Sequence, residues 1–196
     1  TGGAVVIRSA RPTGEFALKA RGSLGVYDSK NFAFSIEDSL VEDKLAGKLT
    51  VMYKDKDGHF RNVQDPGNRI GKKQTTLVRP ILRFTPNEKI TGDLVLEYGR
   101  TESDGAPSRN IFNPTTLASL LYQPSTNDLS VLDHSRSFED NYLEWKHAIA
   151  EINWELGSGM LTSVTGWRDL KQQLGFNGTG TGIALADIEP ETLFEH

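Results

Sequence analysis

Side chains suited to catalysis or metal binding are few in this sequence and stand far apart. The histidines are His59, His134, His147 and His196, and no two have the His-x-His or His-Glu-x-x-His spacing of a zinc site. Ser35, Ser39 and Ser163 have no base within reach along the chain. The glycine-rich run NGTGTG at Asn177 lacks the strand-to-helix setting of a phosphate-binding loop. We therefore expect no catalytic residue, no metal site, no cofactor and no enzyme.

Composition excludes further classes of protein. The 196 residues carry a net charge of −4 and no sustained basic block, which argues against nucleic-acid binding. The absence of cysteine excludes a disulfide framework and a thiolate metal site. No apolar run reaches the ~18 residues of a membrane-spanning helix, but alternating strands of about 9 to 11 residues could still cross a membrane. Strand-forming residues, 19 glycines and many Asn, Asp and Ser clusters predict an all-β fold.

Residues 32–53 predict a β-hairpin with two chemically different faces. Apolar residues alternate with polar ones on both sides of a short acidic turn at residues 41–44. If Leu40 faces Leu45 across this turn, the register of the hairpin is fixed. The apolar pairs are then Ile36 with Leu49, Phe34 with Val51, and Phe32 with Tyr53. Glu37 and Lys48 lie on the other face.

Seven strands are predicted in all, joined as an antiparallel up-and-down meander. They cover residues 16–26, 32–40, 45–53, 75–84, 93–98, 142–156 and 160–168. The connections at the lower rim are short: residues 41–44, 85–89 and 157–159. Those at the upper rim are a tight turn at residues 28–30, long loops at residues 54–74 and 99–140, and a loop-like tail at residues 169–196. Short turns on one rim and long loops on the other are typical of outer-membrane β-barrels.

The side chains on the two faces favour the same interpretation. Aromatic residues end the apolar faces at the upper rim (Phe32, Tyr53, Tyr98 and, in one register, Trp167) and at the lower rim (Phe16, Phe84 and Trp154). Such girdles mark the two interfaces of a membrane. The opposite faces carry charges of both signs: Lys19, Arg21, Glu37, Lys48, Arg79, Arg83, Asp93, Glu97 and Glu151. A packed core would not accept so many charges, whereas a polar barrel interior would.

The alternation of apolar and polar residues also fits another class of protein. A soluble β-sandwich or small β-barrel that binds a ligand also alternates apolar with polar residues, so it stands as the alternative.

A three-residue loop after Leu156 places Met160 and Val164 on the face of Trp154, whereas a four-residue loop places Leu161 and Trp167 there. Pro80 argues for an edge or a bulge. Residues 1–7 read as a short strand, and residues 117–122 as one turn of helix.

Several sequence segments resemble TonB-dependent outer-membrane receptors. The opening TGGAVVIRSARPTGEF resembles the junction between plug and barrel, and the likeness continues through LVEDKLAGKL, YKDKDGHFRN, RFTPNEKI and LTSVTGWRD. The order and spacing of these segments carry the resemblance. It implies a barrel of about 22 strands with an N-terminal plug. Residues 1–12 would be the last plug strand and residues 13–196 the first seven barrel strands, without the TonB box, most of the plug and the remaining strands.

The resemblance also implies a function. The chain would be a fragment of a transporter in the outer membrane of a Gram-negative bacterium, taking up a scarce nutrient such as a ferric siderophore. Its partners would be TonB, acting through the missing plug, the nutrient ligand and outer-membrane lipid. The expected ligand contacts are His59, Phe60, Arg61, Arg69, Arg109, Tyr122 and Trp167, as residues of the upper loops. The expected plug contacts in the lumen are Arg21, Arg79, Arg83, Asp93 and Glu97.

Overall fold

A computed structural model describes residues 9–105, 107–108, 128–132, 141–177 and 187–195. Within these ranges the secondary structure is β-strand, and no helix is long and apolar enough to cross a membrane. The strands are β1 (Ala17–Gly25), β2 (Ser29–Val41), β3 (Leu45–Lys56), β4 (Phe60–Asn62), β5 (Arg69–Ile70), β6 (Lys73–Asn87), β7 (Ile90–Ser103), β8 (Val131–Leu132), β9 (Asn141–Glu155), β10 (Met160–Asn177) and β11 (Asp187–Glu195).

Eight of these strands form one antiparallel sheet in the order β1-β2-β3-β6-β7-β9-β10-β11. Each long strand pairs with the next long strand along the chain, which confirms the all-β meander. The sheet is open, with β1 and β11 at its edges. A second sheet, β5-β4-β8, is built from the connections of the upper rim.

The register predicted for the hairpin at residues 32–53 is confirmed except at its turn. Phe34 pairs with Val51, as predicted, and Ile36 with Leu49. The prediction that Leu40 faces Leu45 is wrong, because the pairing shifts beside Leu40 and Val41 pairs with Leu45. The Leu40 side chain lies over Gly47, where an added Cβ would come within 2.9 Å of the leucine Cδ1. A three-residue turn therefore replaces the expected four-residue loop.

Two stretches predicted as loops contain strands. The tail does not become irregular after Arg168, because β10 continues to Asn177 and β11 follows it. The polar residues 169–173 remain extended since each pairs with a residue of β9. Tertiary pairing thus overrides a weak local strand signal. The predicted loop 54–74 likewise contains the end of β3, all of β4 and β5, and the start of β6. Residues 1–7 and 117–122 lie outside the described residues.

Pro80 lies in a central strand rather than at an edge. It pairs with Leu49 of β3 on one side. On the other side, the pairing of β6 with β7 is in register at Val78 with Tyr98 and at Ile81 with Val95, but it is interrupted between them. Because proline has no backbone N–H to donate, a local break in one ladder is the expected consequence.

The structure resolves which face of β10 is apolar. Met160 pairs with Glu155, so four residues connect β9 to β10. Leu161 then lies opposite Trp154, and Trp167 lies opposite Ala148. The four-residue alternative is therefore correct, and Trp167 shares a face with Trp154.

Burial in the main sheet is reversed relative to a soluble fold. We call the side that carries Phe34, Val51 and Leu96 the apolar face, and the side that carries Arg79, Arg83, Asp93 and Glu97 the charged face. On the apolar face, large side chains are exposed: Phe16 by 65%, Trp167 by 58%, Phe84 by 50%, Phe32 by 49% and Trp154 by 45%. On the charged face, Asp93 and Glu97 are buried together with Ile81 and Val95. The apolar face therefore lacks a protein cover among the described residues.

The hairpin register predicts a specific disulfide. Facing residues of an antiparallel pair have Cα atoms about 4.5 to 5.5 Å apart, within the range of about 4.4 to 6.8 Å that a disulfide spans. We expect the double variant Phe34→Cys/Val51→Cys to oxidise readily, as measured by mass spectrometry after proteolysis. Phe34→Cys/Thr50→Cys is the matched control, since its thiols point to opposite faces. Preferential oxidation of the control would refute the register.

Candidate functional site

The middle of the charged face holds a compact set of ion pairs between β6 and β7. The Arg83 guanidinium contacts both carboxylate oxygens of Asp93, with Nε–Oδ1 and Nη2–Oδ2 distances of 2.8 and 3.0 Å. Arg79 donates from Nε to Glu97 Oε2 and forms an ion pair with the same oxygen. The two pairs arise because alternate residues of neighbouring strands share one face. They place two fork-shaped donors beside two carboxylates.

Residues 9–13 cross this face before the chain enters β1. Arg11 contacts Asp93 through Nε at 3.1 Å and Glu151 through Nη2 at 3.4 Å. Arg79 Nη1 donates to Ser9 Oγ at 2.9 Å. Thr13 Oγ1 donates to Glu37 Oε1 at 3.4 Å, and Pro12 is fully buried. This segment therefore contacts side chains of β2, β6, β7 and β9.

Burial makes these contacts necessary. The side chains of Asp93 and Glu97 are only 4% and 5% exposed. A carboxylate removed from water loses several kcal/mol of hydration unless cations and hydrogen-bond donors replace it. Asp93 has two arginines, and Glu97 has Arg79 together with Trp145, whose Nε1 donates to Glu97 Oε1 at 2.7 Å.

Four of the five residues predicted to face the lumen belong to this network: Arg79, Arg83, Asp93 and Glu97. Arg21 lies on the same face but in the edge strand β1, exposed and separated from β6 by two strands. Sequence reasoning missed Arg11 and Trp145. Trp145 and Glu151 are an even number of residues apart in one strand, so period-two alternation already places Trp145 on the charged face.

The upper rim carries a second group of polar and aromatic residues. Strand β4 pairs with β5 and, in parallel, with β8, so the two long connections are tied together. Next to this small sheet, the His59 ring lies between those of Tyr27 and Phe60, with centroids 6.0 and 3.9 Å apart and ring planes tilted by 58° and 44°. Lys56 Nζ and Arg69 Cζ lie 5.5 and 5.8 Å from the centre of the Tyr27 ring. The result is an aromatic cluster flanked by two cations, which we call the rim cluster.

The predicted ligand residues are only partly brought together. His59, Phe60 and Arg69 belong to the rim cluster, and Arg69 Nη1 donates to the His59 carbonyl oxygen at 3.4 Å. Arg61 lies in β4 and forms an exposed ion pair with Asp128 at 3.7 Å. The expectation that Trp167 is an upper-loop residue is wrong, because β10 extends past it and it lies on the apolar face. Arg109 and Tyr122 lie outside the described residues.

Tyr27 is a rim residue that sequence reasoning missed. Tyr27 and Asp28 both have positive φ angles, of 59° and 50°. This conformation costs a residue with a side chain roughly 1–2 kcal/mol. The Asp57 N–H donates to the Tyr27 carbonyl at 2.9 Å and anchors the turn to the end of β3. The strained turn thus presents the Tyr27 ring beside His59.

Asp104 joins the two long connections from inside the rim. Its carboxylate accepts hydrogen bonds from the backbone N–H of Gly71, at 2.9 and 3.1 Å, and of Lys72, at 3.2 Å. Burial raises the pKa of Asp104 above its ordinary value of 3.8, and the two N–H donors oppose that rise. Gly71 has a φ of 98°, and an added Cβ would lie 3.0 Å from the His59 ring. The turn at Gly71 is therefore held by Asp104 and packed against His59.

Both sites offer groups that can bind a ligand. Among the described residues, no group of three or more His, Asp or Glu side chains could hold a metal ion. The ion-pair network bridges strands and residues 9–13, and the rim cluster presents aromatic faces beside cations. Such surfaces suit a large ligand that carries aromatic rings or negative charge.

Comparison with known proteins reveals a likeness in fold. The chain is similar to the crystal structure of the ferric yersiniabactin uptake receptor FyuA from Yersinia pestis, with a TM-score of 0.68 and 13% sequence identity. The match covers 86% of this chain and 25% of that receptor. No protein-family model and no curated protein matches the sequence. The described sheet therefore has the fold of part of that receptor, and the chain spans about a quarter of its length.

The buried ion pairs predict a stability cost for Arg83→Met. The substitution leaves the Asp93 carboxylate with Arg11 alone, and we expect a loss of about 1–3 kcal/mol in the free energy of unfolding. Urea unfolding in detergent micelles measures it. Arg61→Met, which removes an exposed pair, should cost less than about 1 kcal/mol. Adding Asp93→Leu to Arg83→Met should recover part of the loss, and a cost equal to that of Arg61→Met would contradict burial of the pair.

The raised pKa of Asp104 predicts that the free energy of unfolding falls as the pH rises. Because its folded-state pKa is raised, its contribution to stability is fully present below pH 3.8 and is lost as the pH rises through the folded-state pKa. Asp104→Asn keeps an acceptor oxygen but cannot ionise. Relative to this variant, the wild type should lose at most about 1.4 kcal/mol of unfolding free energy per pH unit in that window. Urea unfolding at a series of pH values measures the difference, and a rise with pH would refute the assignment.

Proposed function

We propose that this chain is part of a TonB-dependent transporter in the outer membrane of a Gram-negative bacterium, and that its cargo is a ferric siderophore. The main sheet is the wall of a barrel of about 22 strands, which encloses an N-terminal plug. Residues 1–12 belong to the end of the plug, and the barrel begins at residue 13. Ligand binds at the upper rim, and TonB acts on the plug to release it.

One observation carries this proposal: large apolar side chains are exposed on one face of the sheet, while carboxylates are buried on the other. In water, an uncovered apolar face of this extent would drive association. In a bilayer, lipid covers the apolar face, and the charged face becomes a polar interior. The likeness to a siderophore uptake receptor supports the same arrangement.

The two sites support separate steps of the proposed transport. Residues 9–13 already lie across the charged face, where a plug would make its contacts. The rim cluster combines the aromatic rings and cations that recognise large anionic or aromatic ligands. We assign cargo capture to Tyr27, His59, Phe60 and Arg69 of the rim cluster, and plug contacts to Arg79, Arg83, Asp93 and Glu97.

Neighbouring positions in β3 test the membrane orientation. Val51 lies on the apolar face and Thr50 on the charged face, one residue apart along the strand. An arginine on the lipid side near mid-membrane costs roughly 2–4 kcal/mol, and one in a polar interior costs much less. We therefore expect Val51→Arg to lower the free energy of unfolding in phospholipid vesicles by about that amount, and Thr50→Arg to lower it far less. Equal costs would contradict a lipid-facing apolar face.

Transport itself is tested by radioactive iron uptake. The full-length transporter of which this chain is proposed to be part is expressed in an iron-starved Gram-negative host from which its own siderophore receptors have been deleted, and ferric siderophores of several chemical classes are supplied in turn. We expect at least one to enter in a TonB-dependent manner. The double variant Tyr27→Ala/Arg69→Ala should bind that siderophore at least tenfold more weakly while reaching the membrane in normal amounts. Uptake that persists without TonB would refute the mechanism.

A further inference from the structure

The charged face contains a groove beside the ion-pair network, and Glu97 and Trp145 belong to both. It lies between β9 and β10 and has a volume of about 620 Å³, within the range of small-molecule sites. Its lining is mainly apolar, from Leu143, Ile149 and Leu170 with Trp145 and Trp167. The polar side chains of the lining are Glu97, His147 and Arg168. The groove is open to the side of the sheet that we propose to be the barrel interior.

Trp145 forms a fixed aromatic platform in this groove. Its indole lies directly against Gly99, where an added Cβ would come within 2.0 Å of Cζ2. Its Nε1 is held by Glu97 at 2.7 Å. A ring fixed on one side by backbone and at its edge by a hydrogen bond loses little conformational entropy when a second ring stacks on it. Gly99 and Glu97 thus preorganise the platform.

Arg168 supplies a free positive charge beside the platform. It pairs with His147 across the ladder and is exposed, and no ion pair joins it to any residue in the described part of the chain. The nearest carboxylate of the groove, Glu97, is already engaged by Arg79 and Trp145. At Gly166, two residues before Arg168, an added Cβ would have only the Ala148 carbonyl oxygen within 4 Å, so this part of the groove is open.

We infer that this groove binds an aromatic carboxylate or a similar planar anion, with the ring stacked on Trp145 and the anionic group on Arg168. The inference rests on the proposed function only in taking the charged face as the interior of a transporter. In that interior, the groove is a binding site on the barrel wall, below the rim cluster. Leu143, Ile149 and Leu170 would cover the apolar edge of the ligand.

Benzoate is the probe that tests this site. The full chain is labelled with 15N-tryptophan in detergent micelles, and the indole signals are assigned by single Trp→Phe substitutions. We expect benzoate to shift the Trp145 signal in a saturable manner and to leave that of Trp154, on the opposite face, in place. Benzyl alcohol lacks the charge and cyclohexanecarboxylate lacks the aromatic ring, so each should bind at least threefold more weakly.

Two substitutions of β10 separate a specific site from a general charge effect. Arg168→Gln should weaken benzoate binding at least tenfold, whereas Lys171→Gln, on the apolar-face side of the same strand, should leave it unchanged. Absence of a saturable Trp145 shift, or equal binding by the Arg168→Gln variant, would overturn the inference. Benzoate binding does not require TonB or uptake, so a failure here is distinguishable from a failure of the transport function.

Discussion

The buried carboxylates of Asp93 and Glu97 determine how the central strands of the main sheet pair. Each lies on β7 and is almost fully removed from water, so each needs positive partners at hydrogen-bonding distance. Arg79 and Arg83 of the adjacent strand meet that need, and this fixes the register of β6 against β7 on the charged face. Because the side-chain period of a strand is two, the same register turns Leu94 and Leu96 to the other side.

This arrangement separates two environments across a single layer of sheet. Residues 9–13 complete the charged side by placing Arg11 on Asp93 and Ser9 on Arg79. No described segment covers the apolar side, where Phe32, Phe84 and Trp167 remain about half exposed. In the proposed barrel, a bilayer provides the missing cover without further protein. The connections of the upper rim form a small sheet of their own, which supports the rim cluster at the end of the main sheet.

The sequence predicts those parts of the structure that follow from strict alternation. Period-two patterning identified the hairpin at residues 32–53 and its register up to the turn, and it placed Arg79, Arg83, Asp93 and Glu97 on one face. It failed where pairing with a neighbour decides the conformation. The residues after Arg168 remain extended because β9 offers a long partner, and the register shifts at Leu40, whose side chain lies over Gly47. Neither feature is visible in local sequence.

The candidate sites show the same limit. Tyr27 enters the rim cluster through a left-handed turn that its residue type does not favour, and Trp145 acquires its role from Gly99, which is distant in sequence. Arg11 could not be linked to Asp93 without knowing that residues 9–13 cross the charged face. Alternation thus predicts which side of the sheet a residue faces, whereas contacts between distant segments decide which residues form a site.

Quenching of tryptophan fluorescence by brominated lipid measures whether lipid covers the apolar face. The chain contains three tryptophans: Trp145 on the charged face, and Trp154 and Trp167 on the apolar face. Single-tryptophan variants, with the other two changed to phenylalanine, are reconstituted into vesicles that contain brominated acyl chains. If lipid covers the apolar face, Trp154 and Trp167 should be strongly quenched and Trp145 only slightly. Equal quenching of all three, or quenching of Trp145 alone, would contradict it.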